Sequence, residues 1–251
     1  MSETTPVESS APRLFVEAEL GQGVALTLPA PASHYLSGVM RLGVGDTVRL
    51  FDDRSGEWLA RLESVGRKAV SVVCETHLRE REAVPDLWLC VAPLKRGRID
   101  WTAEKACELG VARLLPVLTR RTVVDKLNLD RLRAHMIEAA EQCGRTALPE
   151  LAEPVTLAAL LRDWPAGRTL VFADETGGIP LAQAARPGPV AILIGPEGGF
   201  TSEERDLIRA VPGAVGVSLG PRILRADTAA AVAVGVWQAL AGDWVSPSAS
   251  G

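Results

Sequence analysis

The chain has 251 residues, 47% hydrophobic and 23% charged, with a formal net charge of −4 at pH 7. This is the composition of an ordinary soluble protein, long enough for one large core or two modest ones, and it excludes a generally sticky, strongly basic nucleic-acid binder. No apolar run approaches the roughly 18 residues of a membrane span, and the four cysteines (Cys74, Cys90, Cys107, Cys143) never fall at metal-ligand spacing, so no metal is expected and free thiols of a reducing cytoplasm are.

Residues 1–12 are polar, without the basic start and apolar stretch of a secretory signal, and are predicted to be a disordered tail. From residue 13 to residue 80 the chain reads as short strands separated by turn residues: Val24–Leu28, Thr47–Phe51, Glu57–Leu62 and Ala69–Glu75. One short helix is predicted at Ala32–Met40. The pattern suggests a small β-barrel, and Glu80–Pro85 reads as a linker.

The period then changes. Leu87–Ala92 reads as a strand and Arg98–Leu109 as a helix, with Gly110 placed where a left-handed residue stops it. Val111–Leu118 is strand-like. Leu129–Cys143 is a helix with Leu132, Met136, Ala139 and Cys143 on one face. Strands follow at Leu170–Ala173, Val190–Ile194 and Val215–Leu219. Helices are predicted at Thr201–Ala210, opened by a capping box from Thr201 to Glu204, and at Thr228–Leu240, with Asp227 or Thr228 as N-cap. Strands alternating with helices imply a mostly parallel sheet over residues 86–243; residues 244–251 read as a second tail.

Charge is unevenly spread. Residues 95–145 hold eleven Lys/Arg against seven Asp/Glu, the one stretch with a clear basic excess; an RNA-binding face would draw on it, although composition alone favours solvated helix charge.

Two segments stand out. In Ala191–Phe200, a buried strand runs into Gly195-Pro196-Glu197-Gly198-Gly199 before a capped helix. Three glycines in five positions allow positive φ and close approach of a ligand to bare backbone, and loops at the carboxyl ends of parallel strands are where open α/β sheets bind ligands. The loop has neither the Gly-Lys-Ser/Thr ending of a triphosphate loop nor a dinucleotide fingerprint. Ser218–Thr228 repeats the grammar: a strand, Gly220-Pro221, then Ile223-Leu224 between Arg222 and Arg225. The apolar pair either flanks a flat ring or packs in the core.

Together these segments resemble the SPOUT methyltransferases, and more closely the ribosomal RNA small subunit methyltransferase E family. The likeness extends to His34–Arg41 with Gly45-Asp46, to Lys95 and Glu104–Val111, to Thr119–Val124 and to Glu138–Arg145. It implies an α/β fold: a SPOUT-type domain with a trefoil knot, preceded by a PUA-like β-barrel that binds RNA. It also implies a homodimer that uses S-adenosylmethionine to methylate N3 of a uridine in 16S ribosomal RNA of the 30S subunit. Ribose 2′-O-methylation, or a non-catalytic RNA-binding protein, are the alternatives. Cofactor contacts are expected from Ile194, Gly195, Pro196, Glu197, Gly198, Gly199, Leu219, Gly220, Ile223, Leu224 and Arg225, with valine at Gly198 obstructing entry.

Uracil N3 carries a proton and is a poor nucleophile until it is lost. Arg225 and Arg222 are therefore expected to stabilise the developing anion, and Glu197 to orient the base or the cofactor. RNA contacts are expected from Arg13, Arg41, Lys95, Arg120, Arg121 and Arg145. Asp227 stands where the family pattern usually has Glu.

Overall fold

A computed structural model describes residues 11–66, 69–95, 97–124 and 126–245, so the greater part of both expected tails lies outside the described residues. The chain divides into two compact units, residues 1–83 with 140–147, and residues 84–139 with 148–251.

The first unit contains β1 (Arg13–Phe15), β2 (Ala25–Thr27), α1 (Ala30–His34), a π-helical turn (Tyr35–Val39), β3 (Thr47–Phe51), β4 (Glu57–Val65) and β5 (Val70–Arg79). Its strands form one sheet in the order β1-β3-β4-β5-β2. β3, β4 and β5 pair antiparallel, while β1 runs parallel to β3. Alternation in β3 to β5 points Val48, Leu50, Ala60, Leu62, Val70 and Val72 into a shared core. The helix expected at Ala32–Met40 starts earlier and changes pitch: Pro29 caps it, Pro31 occupies its first turn, where a missing N–H costs nothing, and the π-helical turn completes it.

Two of the arginines expected to reach RNA are instead interior parts of this unit. Arg13 is buried; its Nε donates to Glu57 Oε1 at 2.8 Å, its Nη2 donates to the Arg145 carbonyl at 2.8 Å, and its guanidinium lies 4.0 Å over the Phe51 ring. Arg145 is also buried and pairs with Glu82 at 3.2 Å. Glu57 accepts further from Arg79 and lies 3.6 Å from Arg49. A buried guanidinium must be paired, and these pairs occupy the groups a phosphate would need.

The second unit holds β6 (Leu87–Val91), α2 (Arg98–Glu108), β7 (Arg113–Leu118), most of α3 (Leu129–Cys143), β8 (Glu150–Leu151), β9 (Val155–Thr156), α4 (Leu157–Arg162), β10 (Thr169–Ala173), β11 (Ile179–Pro180), α5 (Leu181–Ala184), β12 (Val190–Ile194), α6 (Ser202–Arg209), β13 (Val215–Ser218) and α7 (Ala226–Ala241). The sheet order is β11-β13-β10-β12-β6-β7-β8, with β9 also on β7, and the described pairings are all parallel. All five residues of β12 are buried, as a strand covered on both faces requires. Phe172, Leu193, Phe200 and Ile208 belong to the core beside it.

α7 starts two residues earlier than the sequence suggested. Arg225 is its N-cap, with no side-chain cap bond, and Asp227 sits inside the first turn. There its carboxylate complements the helix dipole and lies 3.8 Å from Arg98 Nε. Among the described residues no helix is long and apolar enough to cross a membrane.

Candidate functional site

β13, β10 and β12 are neighbours in the sheet, and the loops at their carboxyl ends converge on one cavity of about 510 Å³ within the second unit. That is the size range of a small-molecule or cofactor site. Three walls build it: Ile194–Phe200 after β12, Val217–Leu224 after β13, and Asp174, Glu175, Gly177 and Gly178 after β10.

The β12 wall is fixed by its helix. Thr201 Oγ1 accepts the Glu204 N–H at 3.2 Å, and Glu204 Oε2 accepts the Thr201 N–H at 2.9 Å. The other oxygen of this buried carboxylate accepts the Arg120 N–H at 2.8 Å. Gly199 is held at φ +67°, and a Cβ there would strike the Glu175 carboxylate. Gly198 is different: a Cβ there meets the flexible Arg121 side chain, 3.3 Å from its Cδ, so valine at Gly198 displaces Arg121 before it narrows the cavity. Arg121 itself donates to the Gly198 carbonyl at 2.5 Å.

Glu197 lines the cavity half exposed, and its Oε1 takes a hydrogen bond from Arg98 Nη1 at 3.2 Å. Arg98 thus stands between Glu197 and Asp227, tying the loop after β12 to the first turn of α7.

The β10 wall rests on Asp174, whose side chain is fully buried. Its Oδ1 accepts from the Thr176 backbone at 3.0 Å and the Thr176 hydroxyl at 2.7 Å, and its Oδ2 accepts from Arg209 at 2.6 Å. Burial pushes this carboxyl up, but the bonds from Thr176 and Arg209 outweigh burial and hold it below its ordinary value. Its stabilising contribution is therefore full at neutral pH and is lost only as acid titrates the folded form. Gly178 closes the wall. A Cβ there would sit 2.6 Å from the Gly216 carbonyl carbon and oxygen and 2.7 Å from Val217 Cα. Because those atoms are main chain, Gly178→Ala is expected to push β11 off β13 and cost about 1–3 kcal/mol. Amide hydrogen exchange in β13 of the variant, read against the wild-type chain, checks this; unchanged protection contradicts it.

The sequence-predicted residues Ile194 through Gly199, Leu219, Gly220, Arg222, Ile223 and Leu224 all line the cavity. Ile223 is 94% exposed, which removes it from the core and leaves it free to cover a bound ring. Arg225 does not line the cavity. As N-cap of α7 it keeps an extended backbone, its carbonyl accepts the Ala229 N–H at 2.7 Å, and its side chain is exposed. Arg41, Lys95, Arg120 and Arg121 are exposed. The sequence reading missed Arg98, Asp174 and Glu175. The signal for the last two was present: Leu170–Ala173 runs into Asp-Glu-Thr-Gly-Gly, the same strand-then-glycine grammar as the other two loops.

Known proteins align with this architecture. An RNA methyltransferase domain model matches residues 80–238, and an RNA methyltransferase PUA domain model matches residues 28–74. The chain is 33% identical to the ribosomal RNA small subunit methyltransferase E of Synechocystis sp. over 236 residues, covering 91% of this chain and 77% of that relative. It is 29% identical to the enzyme of the same name from Rickettsia conorii, over 88% of this chain and 93% of the relative. Among solved structures it is similar to the Neisseria gonorrhoeae ribosomal RNA small subunit methyltransferase E bound to S-adenosyl methionine, with a TM-score of 0.84, 27% identity, and 93% and 99% of the two chains covered. A Legionella pneumophila protein described as a methyltransferase with bound cofactor SAM gives a TM-score of 0.83 and 32% identity over the same shares.

Proposed function

Because the chain belongs to the ribosomal RNA small subunit methyltransferase E family, we propose that it transfers a methyl group from S-adenosylmethionine to N3 of a uridine in 16S ribosomal RNA. The observation that carries this reading is the three-walled cavity at the carboxyl ends of β10, β12 and β13. Its volume suits a nucleoside with a short tail. Bare backbone at Gly195, Gly198 and Gly220 offers peptide groups to an adenine edge, and Leu219, Ile223 and Leu224 offer apolar cover to its faces.

When bound, the cofactor supplies a methyl group already activated by sulfonium charge. The remaining difficulty is the acceptor, and this chain's residues address it. Arg222 at the cavity wall and Arg225 at the head of α7 supply cations for the negative charge that grows on the uracil oxygens as N3 loses its proton. Glu197, held by Arg98, orients the base against the cofactor. Arg41, Lys95, Arg120 and Arg121 are the exposed cations we assign to RNA.

The insertion of β12 between β10 and β6, two strands that both precede it in the chain, supports a knotted cofactor domain of the SPOUT type. The PUA match over residues 28–74 supports a barrel-like, RNA-binding role for the first unit. Trp101 on α2, Val232 and Leu240 on α7, and Trp244 beyond it are exposed apolar residues of the second unit, and they support pairing of two copies. We assign the activity to the cytoplasm, a reading that a ribosomal RNA substrate supports. The test is mass spectrometry of 16S RNA from a strain lacking the gene. Loss of one methylated uracil base supports the reading; loss of a ribose methyl, or no change, overturns it.

A further inference from the structure

The third wall of the cavity raises a question that the two glycine-proline loops do not. Asp174 spends its oxygens on Thr176 and Arg209, and its side chain is fully buried. The next residue, Glu175, lines the same cavity, but its side chain is 46% exposed. Its Oε1 accepts from Arg205 of α6, while among the described residues Oε2 receives no hydrogen bond. Glu175 also abuts Gly199, close enough that any side chain there would collide with the carboxylate. Two features therefore hold an anionic acceptor at the cavity wall: a turn anchored by Asp174, and a glycine that leaves room for it.

We infer that Glu175 reads the ribose of the cofactor, its carboxylate accepting hydrogen bonds from the 2′- and 3′-hydroxyls. The inference rests on the S-adenosylmethionine reading above. An acidic side chain following a parallel strand is a recurrent partner for ribose hydroxyls in open α/β sheets. Arg205 already balances the charge of Glu175, so a neutral hydroxyl complements it, whereas an ammonium would also meet the guanidinium. Hydroxyl donors also satisfy Oε2, whose desolvation by a bound ligand would otherwise go uncompensated.

The test is calorimetric binding of S-adenosylhomocysteine, its 2′-deoxy and 3′-deoxy counterparts and 5′-methylthioadenosine to the full-length chain, to Glu175→Gln and to Glu175→Ala. The wild-type chain is expected to lose roughly ten- to a hundredfold in affinity for at least one deoxy compound. Glu175→Ala should bind S-adenosylhomocysteine weaker by a similar factor and be indifferent to loss of that hydroxyl. Glu175→Gln keeps the shape of the wall and should fall between. If both variants remain as sensitive to the hydroxyl as the wild type, the inference fails. If coupling appears only with 5′-methylthioadenosine, which lacks the amino-acid tail, Glu175 reads the ammonium and the ribose assignment is overturned. If the wild-type chain binds none of these compounds, the cofactor reading itself fails, a different outcome from uncoupled binding.

Discussion

Arg225→Ala is expected to slow single-turnover methyl transfer roughly 100- to 1,000-fold while leaving S-adenosylmethionine affinity within about twofold. The magnitude is that of removing one donor aimed at developing negative charge. The split follows from the geometry: Arg225 caps α7 and stays outside the cavity lining, so its loss removes charge stabilisation without touching the cofactor walls. Arg222→Ala should differ, because Arg222 lines the cavity and its loss is expected to weaken both binding and rate. Lysine at position 225 keeps the charge but not the planar fork, so partial rescue is expected. Wild-type rates in both alanine variants would remove the arginines from the chemistry.

The second large effect is structural. Glu57→Gln is expected to destabilise the first unit by about 3–5 kcal/mol, the cost of leaving a buried cation without its partner. Arg13 is already strained in this sense: burial lowers its pKa, and the attraction and hydrogen bond of Glu57 oppose that. Glu57, at the head of β4, is the shared acceptor for Arg13 and Arg79. The chain has two compact units, so a single melting temperature blurs the result. Amide hydrogen exchange reads each unit separately. Protection should fall in β3, β4 and β5 and hold in β12. A change below about 1 kcal/mol in β4 contradicts the account.

What the sequence revealed depended on the range of the interaction. β12 and the helix at Leu129–Cys143 are bounded as their patterns indicated, because an unbroken apolar run and a 3.6-residue stripe are local signals. The Thr201–Glu204 capping box is likewise written in four residues. Two walls of the cavity were legible for the same reason: glycine clusters after apolar strands mark places where backbone must be bare.

The remainder depended on partners far away in the chain. Arg13 looks like any surface arginine until Glu57, 44 positions later, closes on it. Arg145 carries the same ambiguity until Glu82 is found beside it. Ile223 could have packed in the core or faced the cavity, and only the assembled loop leaves it 94% exposed. The β10 wall was passed over because its chemistry resides in Asp174 and Glu175, whose importance comes from Arg205 and Arg209 on a later helix. β8, β9, β11 and the helices at Leu157–Arg162 and Leu181–Ala184 are too short to carry a period.

The central claim is tested most directly by incubating the chain with S-adenosylmethionine carrying a labelled methyl group and 16S RNA, naked and within 30S particles, and mapping the labelled nucleotide. Label is expected on N3 of a single uridine. Label on a ribose, or no transfer to either substrate from a chain that binds the cofactor, would contradict it.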